Sequence, residues 1–167
     1  MPDRIIKSRK AKGFSLIELL IVVAIILVIA AMAIPNLIRS KISANEASAI
    51  SSMRTINTAQ TTYDITYPQF GYASSLSQLA FPATGQPVDQ NAAGLLDWVI
   101  GCPTQPCNKS GYLFSIVNPT GSPVVSYGIT AYPNVVGTSG TRGFCSNQLS
   151  NMLYDPSGGT NCTLTLQ

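Results

Sequence analysis

Glu18 is the residue whose chemistry most needs a reason. It is the only ionisable side chain in FSLIELLIVVAIILVIAAMAI, residues 14–34. A carboxylate held in hydrocarbon costs on the order of 3 kcal/mol on insertion scales, so it calls for a partner. The other reactive side chains lie far downstream. Cys102, Cys107, Cys145 and Cys162 form an even set in the polar part of the chain. In an oxidising compartment such a set forms two disulfides, with three possible connectivities, of which the pairing of sequence neighbours, Cys102–Cys107 and Cys145–Cys162, is preferred.

Further chemistry is sparse. The chain has no histidine, and neither a P-loop, a GxSxG elbow nor a close carboxylate pair occurs in it. With no histidine and no CxxC spacing, a zinc site is not expected. CPTQPC carries two prolines and reads as a turn; no charge partner is in sight to make either thiol redox-active. Asp89, Asp97 and Asp155 are scattered, and no calcium ligand set assembles around them. The expectation is therefore no catalytic residue, no metal and no cofactor. Asn108–Ser110 and Asn161–Thr163 fit the N-x-[ST] acceptor pattern, although short matches of this kind arise by chance. Seven tyrosines read as packing residues and not as a stacking track, so no direct nucleic-acid site is identified.

The elements that must position these residues follow from composition. Charged residues make up only 10% of the 167 positions and apolar types 46%, and the imbalance is local. Residues 14–34 are long and apolar enough to cross a bilayer. The basic charge sits ahead of them in Arg4, Lys7, Arg9, Lys10 and Lys12, with only Arg39 and Lys41 just behind. That asymmetry places the N-terminus in the cytoplasm and the remainder outside. The basic pI belongs to the leader and carries no message about nucleic acid.

One helix is expected from Ser15 to Asp64. Its first half is apolar all round. Pro35 lacks an amide proton and crowds the preceding turn, which predicts a bend or local melting. In the second half Ile38, Ile42, Ala49, Ile50, Met53, Ile56, Ala59 and Tyr63 recur at threes and fours, the stripe of a helix packed on a domain. Ala44, Ser48, Ala49 and Ser52 read either as close-approach positions for a neighbouring helix or as surface filler. A short helix is expected at Ser74–Leu79. Tyr112–Val117 and Val124–Tyr132 read as a strand pair across NPTGSP, with shorter strands near Arg142–Ser146 and Met152–Tyr154. The fold class is α+β: a long N-terminal helix against a three- or four-stranded antiparallel sheet.

An ordinary secretory signal would explain the basic start and the apolar run, with Ala31-Met32-Ala33 as its cleavage pattern. The run is too long for an h-region, and Glu18 would burden it. A plain membrane anchor leaves Glu18 equally unexplained. By contrast, KGFSLIELLIVVAIILVIAAMAIP resembles the class III leader junction of type IV prepilins and type II secretion pseudopilins. YGITAYP and the Arg142-Gly143-Phe144-Cys145 stretch are similar to the C-terminal sheet of a pilin-like subgroup.

The resemblance implies a pilin fold and a division into a cytoplasmic leader (residues 1–13), a transmembrane or filament-core helix half (14–35), an amphipathic half (36–67) and a globular head (68–167). It implies cleavage between Gly13 and Phe14 by a prepilin peptidase, N-methylation of Phe14, and assembly roles for Glu18 and Pro35. Cleavage would create a cationic amine about one turn from Glu18, able also to meet Glu18 of a neighbouring copy. The implied partners are further copies of the chain in a helical homopolymer, the peptidase, an assembly ATPase, an inner-membrane platform and the membrane itself. The implied location is a single pass through the inner membrane, then an extracellular pilus or a periplasmic pseudopilus. The expected function is that of a filament subunit and not an enzyme, serving adhesion, twitching motility or DNA uptake. The alternatives are a type II secretion pseudopilin and a secreted or anchored binding domain with a conventional signal.

Overall fold

The computed structural model describes residues 13–166; the basic leader of residues 1–12, and the expectations resting on it, lie outside the described residues. The chain forms two units, Met1–Leu37 and Ile38–Gln167. One helix, α1, runs Leu16–Thr66.

In the N-terminal unit every apolar side chain from Phe14 to Ile29 is exposed, Phe14 at 87% and Leu16 at 81%. An 18-residue window of α1 reaches a mean hydropathy of 3.1 with none of it buried, so this half of the helix meets the length and composition of a membrane span. Pro35 does not melt the helix: α1 is continuous through it. The side-chain amide of Asn36 donates to the Met32 carbonyl at 3.1 Å. A polar side chain one residue beyond the proline thus supplies a donor in the turn that the proline ring disturbs.

The C-terminal unit packs residues 46–63 of α1 on a six-stranded sheet. Its strands are β1 (Cys107–Lys109), β2 (Tyr112–Thr120), β3 (Ser126–Pro133), β4 (Gly143–Asn147), β5 (Leu153–Asp155) and β6 (Leu164–Thr165). Each pairs antiparallel with the next in chain order. Alternation explains the central strands: Tyr127, Ile129 and Ala131 of β3 point inward and Gly128, Thr130 and Tyr132 outward. Six strands replace the three or four expected, because β1 and β6 have three and two residues and are too short for a period of two to show. Short helix α2 spans Leu76–Leu79, the C-terminal part of the segment expected to be helical.

The core gathers Met53, Ile56 and Tyr63 of α1, Leu76 and Leu79 of α2, Tyr112 and Phe114 of β2, Ile129 of β3 and Phe144 of β4, all fully buried. The expected stripe needs correction at its start. Ile38 is 48% exposed, while Glu46, Ser52, Asn57 and Gln60 are buried. The small residues divide: Ala49 and Ser52 are buried in this unit's own core and Ala44 is exposed. Ser48 donates to the Ser110 hydroxyl at 3.0 Å.

Buried polar side chains are satisfied in pairs. Gln60 donates to the Ala73 carbonyl at 2.9 Å and accepts from the Ala73 N–H at 2.8 Å, a side chain standing in for a strand. Gln105 treats Ile116 the same way. Tyr127 donates to Asn57, whose amide donates to Ser146; burial pushes the Tyr127 phenol up to about 12, so it stays a donor. Cys102 joins Cys107 and Cys145 joins Cys162, the second bridge fastening the C-terminal tail to β4.

Candidate assembly site

Gly13, Phe14 and Ser15 lie outside the helix, exposed and in irregular backbone. Among the described residues, a Cβ placed on Gly13 would meet no atom within 4 Å beyond its chain neighbours. The Gly13–Phe14 bond thus lies on non-helical chain ahead of α1. Helix α1 begins two residues later, and the Ser15 carbonyl accepts its first backbone bond, from Leu19 N–H at 3.2 Å.

That start places Glu18 in the first turn of α1. With Ser15 at the N-cap, Glu18 is the third helical residue and the acidic group of the first turn. A carboxylate there faces the positive end of the helix dipole, a favourable placement of a few tenths to about 1 kcal/mol at an exposed terminus. Ser15-x-x-Glu18 has the spacing of a capping box, a local signal that attention to the apolar run obscures. Among the described residues no side chain bonds to Glu18. Pro35, also expected to serve assembly, lies on the same exposed half of α1, a little under about five turns beyond Glu18.

A second acidic residue, missed in the sequence, is fastened much more completely. Glu46 lies on the α1 stripe between Ile42 and Ala49, and its side chain is 7% exposed. Its Oε1 accepts from Thr141 N–H at 2.9 Å, Thr141 hydroxyl at 2.7 Å and Arg142 N–H at 3.1 Å. Its Oε2 accepts from Arg142 Nε at 2.9 Å and Nη2 at 2.6 Å. The guanidinium lies near the rings of Phe144 and Tyr154, 5.6 Å from each. Tyr112 donates to the Arg142 carbonyl at 2.8 Å, and Asn45 donates to the Ser139 carbonyl at 2.7 Å. One turn of helix thus holds the loop that leads into β4. Gly140 fits there because any Cβ would collide with the Tyr112 hydroxyl.

The scattered aspartates each cap their own turn. Asp89 accepts from Asn91 and Ala92 N–H, Asp97 from Val99 and Ile100 N–H, and Asp155 from Ser157 and Asn161 N–H. They do not converge on a common site.

All four carboxyl groups are held below their ordinary range. At Glu46 burial opposes ionisation, but the Thr141 donors and the Arg142 guanidinium outweigh it. The leading cause is the Asn91 N–H at Asp89, the Ile100 N–H at Asp97 and the Ser157 hydroxyl at Asp155. A carboxyl with a lower pKa folded than unfolded binds fewer protons when folded. Its contribution is complete above the unfolded value of about 4 and drains away as pH falls through the folded one. The melting temperature of the C-terminal unit should therefore hold from neutral pH to about 5 and fall steeply below about 4. Circular dichroism melts across that range measure this, and equal stability at pH 3 and pH 7 would contradict it.

A family model described as the prokaryotic N-terminal methylation motif matches residues 8–34. The type IV wide pilus major component PilA4 of Thermus thermophilus is 60% identical over 38 residues, 23% of this chain and 29% of that protein. The type IV major pilin protein PilA of Myxococcus xanthus is 44% identical over 52 residues, 31% of this chain and 24% of that protein. The matches span under a third of the length of each of these relatives. No solved structure matches.

Proposed function

We propose that this chain, a member of the type IV pilin family by its leader motif and its pilin relatives, is the structural subunit of a type IV pilus-class filament. Residues 1–13 are the cytoplasmic leader, 14–35 the membrane and filament-core half of the helix, 36–67 its amphipathic half and 68–167 the head. A prepilin peptidase cuts Gly13–Phe14, and Phe14 becomes the N-methylated first residue. The subunit waits in the inner membrane as a single-pass protein. An assembly ATPase and a platform protein then drive it into a homopolymer outside.

One observation carries this reading. A lone carboxylate, Glu18, occupies the first turn of an apolar helix that exposes its side chains through Ile29, shortly after the leader glycine. The cation that matches it is the amine that cleavage releases at Phe14, on its own chain or on the next subunit. In an apolar, weakly screening setting that pair sets the register in which helices pack, because misregistration leaves a buried charge unpaired.

N-terminal characterisation of protein sheared from cells tests it. The expected intact mass starts at Phe14 and includes one added methyl group. A start at Ile34 would mean a conventional signal, and retention of Met1 a plain anchor; either result overturns the proposal. A type II secretion pseudopilin would share the Phe14 start. Both relatives above are pilus components by name, which favours the pilus, and electron microscopy of the same fraction separates surface filaments from periplasmic ones. Adhesion, twitching motility and DNA uptake are the uses such a filament serves, each assayable in a strain lacking the chain.

A further inference from the structure

The charges of the C-terminal unit divide by location. Beyond the helix each has a partner: Arg142 bonds Glu46, Lys109 lies 3.7 Å from Asp97, and backbone N–H groups of their own turns serve Asp89 and Asp155. On α1, Glu46 apart, the opposite holds. Among the described residues, the side chains of Arg39, Lys41, Arg54 and Asp64 make no hydrogen bond and no ion pair. Asp64 is thus the unit's one uncommitted anion among those residues, and it shares its helix with the uncommitted cations.

Asp64 is also the worst placed. It sits in the last turn of α1, which holds no basic residue. A carboxylate there faces the negative end of the helix dipole, an unfavourable position that a cation from elsewhere would relieve. Arg54 lies ten residues back on the same helix, about 15 Å along the axis, too far to pair within one chain.

Arg54 lines a groove of about 330 Å³ between α1 and the loop ahead of β5, with Asn57, Thr58, Thr61, Ser150 and Met152. Positions 54, 57, 58 and 61 share one helix face. Most donors in the groove are spent. Asn57 bonds Ser146, and the Thr58 and Thr61 hydroxyls donate to carbonyls of α1. The guanidinium of Arg54 and the Ser150 hydroxyl remain, a planar fork and one further donor, which suit a single carboxylate.

We propose that this groove receives Asp64 of a second copy of the chain. A soluble anion would satisfy Arg54 and leave Asp64 stranded; a second copy answers both with one contact. Ile65, 75% exposed beside Asp64, brings to it, and to Met152 in the groove, the apolar area that a lone surface ion pair lacks. Arg39 and Lys41 lie about 35 Å from Asp64 along the axis, so pairing with them demands more than twice the slide. Copies inserted in one membrane orientation lie parallel, and cation and anion then meet head to tail. Each copy that gives its Asp64 keeps its own Arg54 for the next, a heterologous contact that propagates. The inference rests on the filament reading above and adds to it an offset of about 15 Å between contacting helices.

Filament yield in shear fractions tests it. Arg54→Glu and Asp64→Arg should each lower the yield about tenfold, since each sets like charges together. The two combined should restore most of it. Asp64→Arg also puts a cation at the favourable end of α1. Its melting temperature in detergent should therefore hold or rise while its filaments are lost, a divergence that damage to the fold would not produce. If Arg54→Glu does not fold, Asp64→Arg and cross-linking decide. For cross-linking, Arg54→Cys and Asp64→Cys chains made together in one membrane should be joined by a short bismaleimide, and neither should join to itself. Wild-type yield from either single variant, a double variant as poor as the singles, or no mixed cross-link would overturn the proposal. A native strain without filaments would instead overturn the function proposed above, and the cross-link in membranes would then decide the contact alone.

Discussion

Replacing Glu46 with alanine should destabilise the C-terminal unit by about 3 kcal/mol and lower its melting temperature by about 10 °C. The carboxylate accepts five hydrogen bonds from two residues of one loop, and no other acceptor replaces it there. Removing one partner of a buried ion pair typically costs 3–5 kcal/mol. The lower end applies because the Arg142 side chain is 39% exposed and its guanidinium can turn to water. The two partners should also differ. Arg142→Ala leaves Glu46 with the Thr141 N–H, the Thr141 hydroxyl and the backbone N–H of residue 142, so it should cost less than Glu46→Ala. Glu46→Gln keeps an acceptor for Thr141 but sets an amide N–H against the guanidinium, and should fall between alanine and the native residue. Urea titration of the full chain, followed by the fluorescence of Trp98, ranks the three variants. A loss below about 1 kcal/mol for Glu46→Ala would show that the loop is held by its packing, through Phe144 and Tyr112, and not by this carboxylate.

What could be read without coordinates was whatever the chain writes locally. The long helix declares itself through residues 14–34 and then through Met53, Ile56 and Tyr63 at helical spacing. Strands β2 and β3 show because the first six residues of β2 and all eight of β3 alternate. Strands β1 and β6 escape notice because they exist only as additions to a neighbour; their register is set by Phe114 opposite Cys107 and by Leu153 opposite Thr165. Glu46 was legible in principle. A charged residue on an apolar stripe raises at position 46 the same question that Glu18 raises at position 18, and its answer lies 96 residues away in Arg142. No spacing rule reaches that far. Gln60 and Gln105 hide similarly, since their partners are backbone groups with no sequence identity. The segment holding Gly13, Phe14 and Glu18 is legible because the motif that matches it is itself a short linear stretch, residues 8–34.

Glu18→Ala should leave processing at Gly13 largely intact and reduce filament yield to background. In the proposed processing, cleavage acts ahead of the helix, and Glu18 lies in its first turn, not at the scissile bond. Removing the carboxylate even eases insertion, because an apolar residue replaces one that costs on the order of 3 kcal/mol in hydrocarbon. Mature Glu18→Ala protein should therefore accumulate in the membrane at normal or raised levels. Assembly is different. Each incoming amine that finds no carboxylate enters an apolar core as an unpaired cation, at several kcal/mol per subunit. A polymer multiplies that cost along its length, so a modest pairwise loss becomes an all-or-none failure of growth. Glu18→Asp keeps the charge but shortens its reach by one methylene, and should give partial yield. Glu18→Gln keeps the shape without the charge and should behave like alanine. Shear fractions and membrane fractions from the three strains, probed with the same antibody, separate export from assembly. Wild-type filament numbers in the Glu18→Gln strain would remove the charge pair from the account and leave Glu18 only its part in starting the helix.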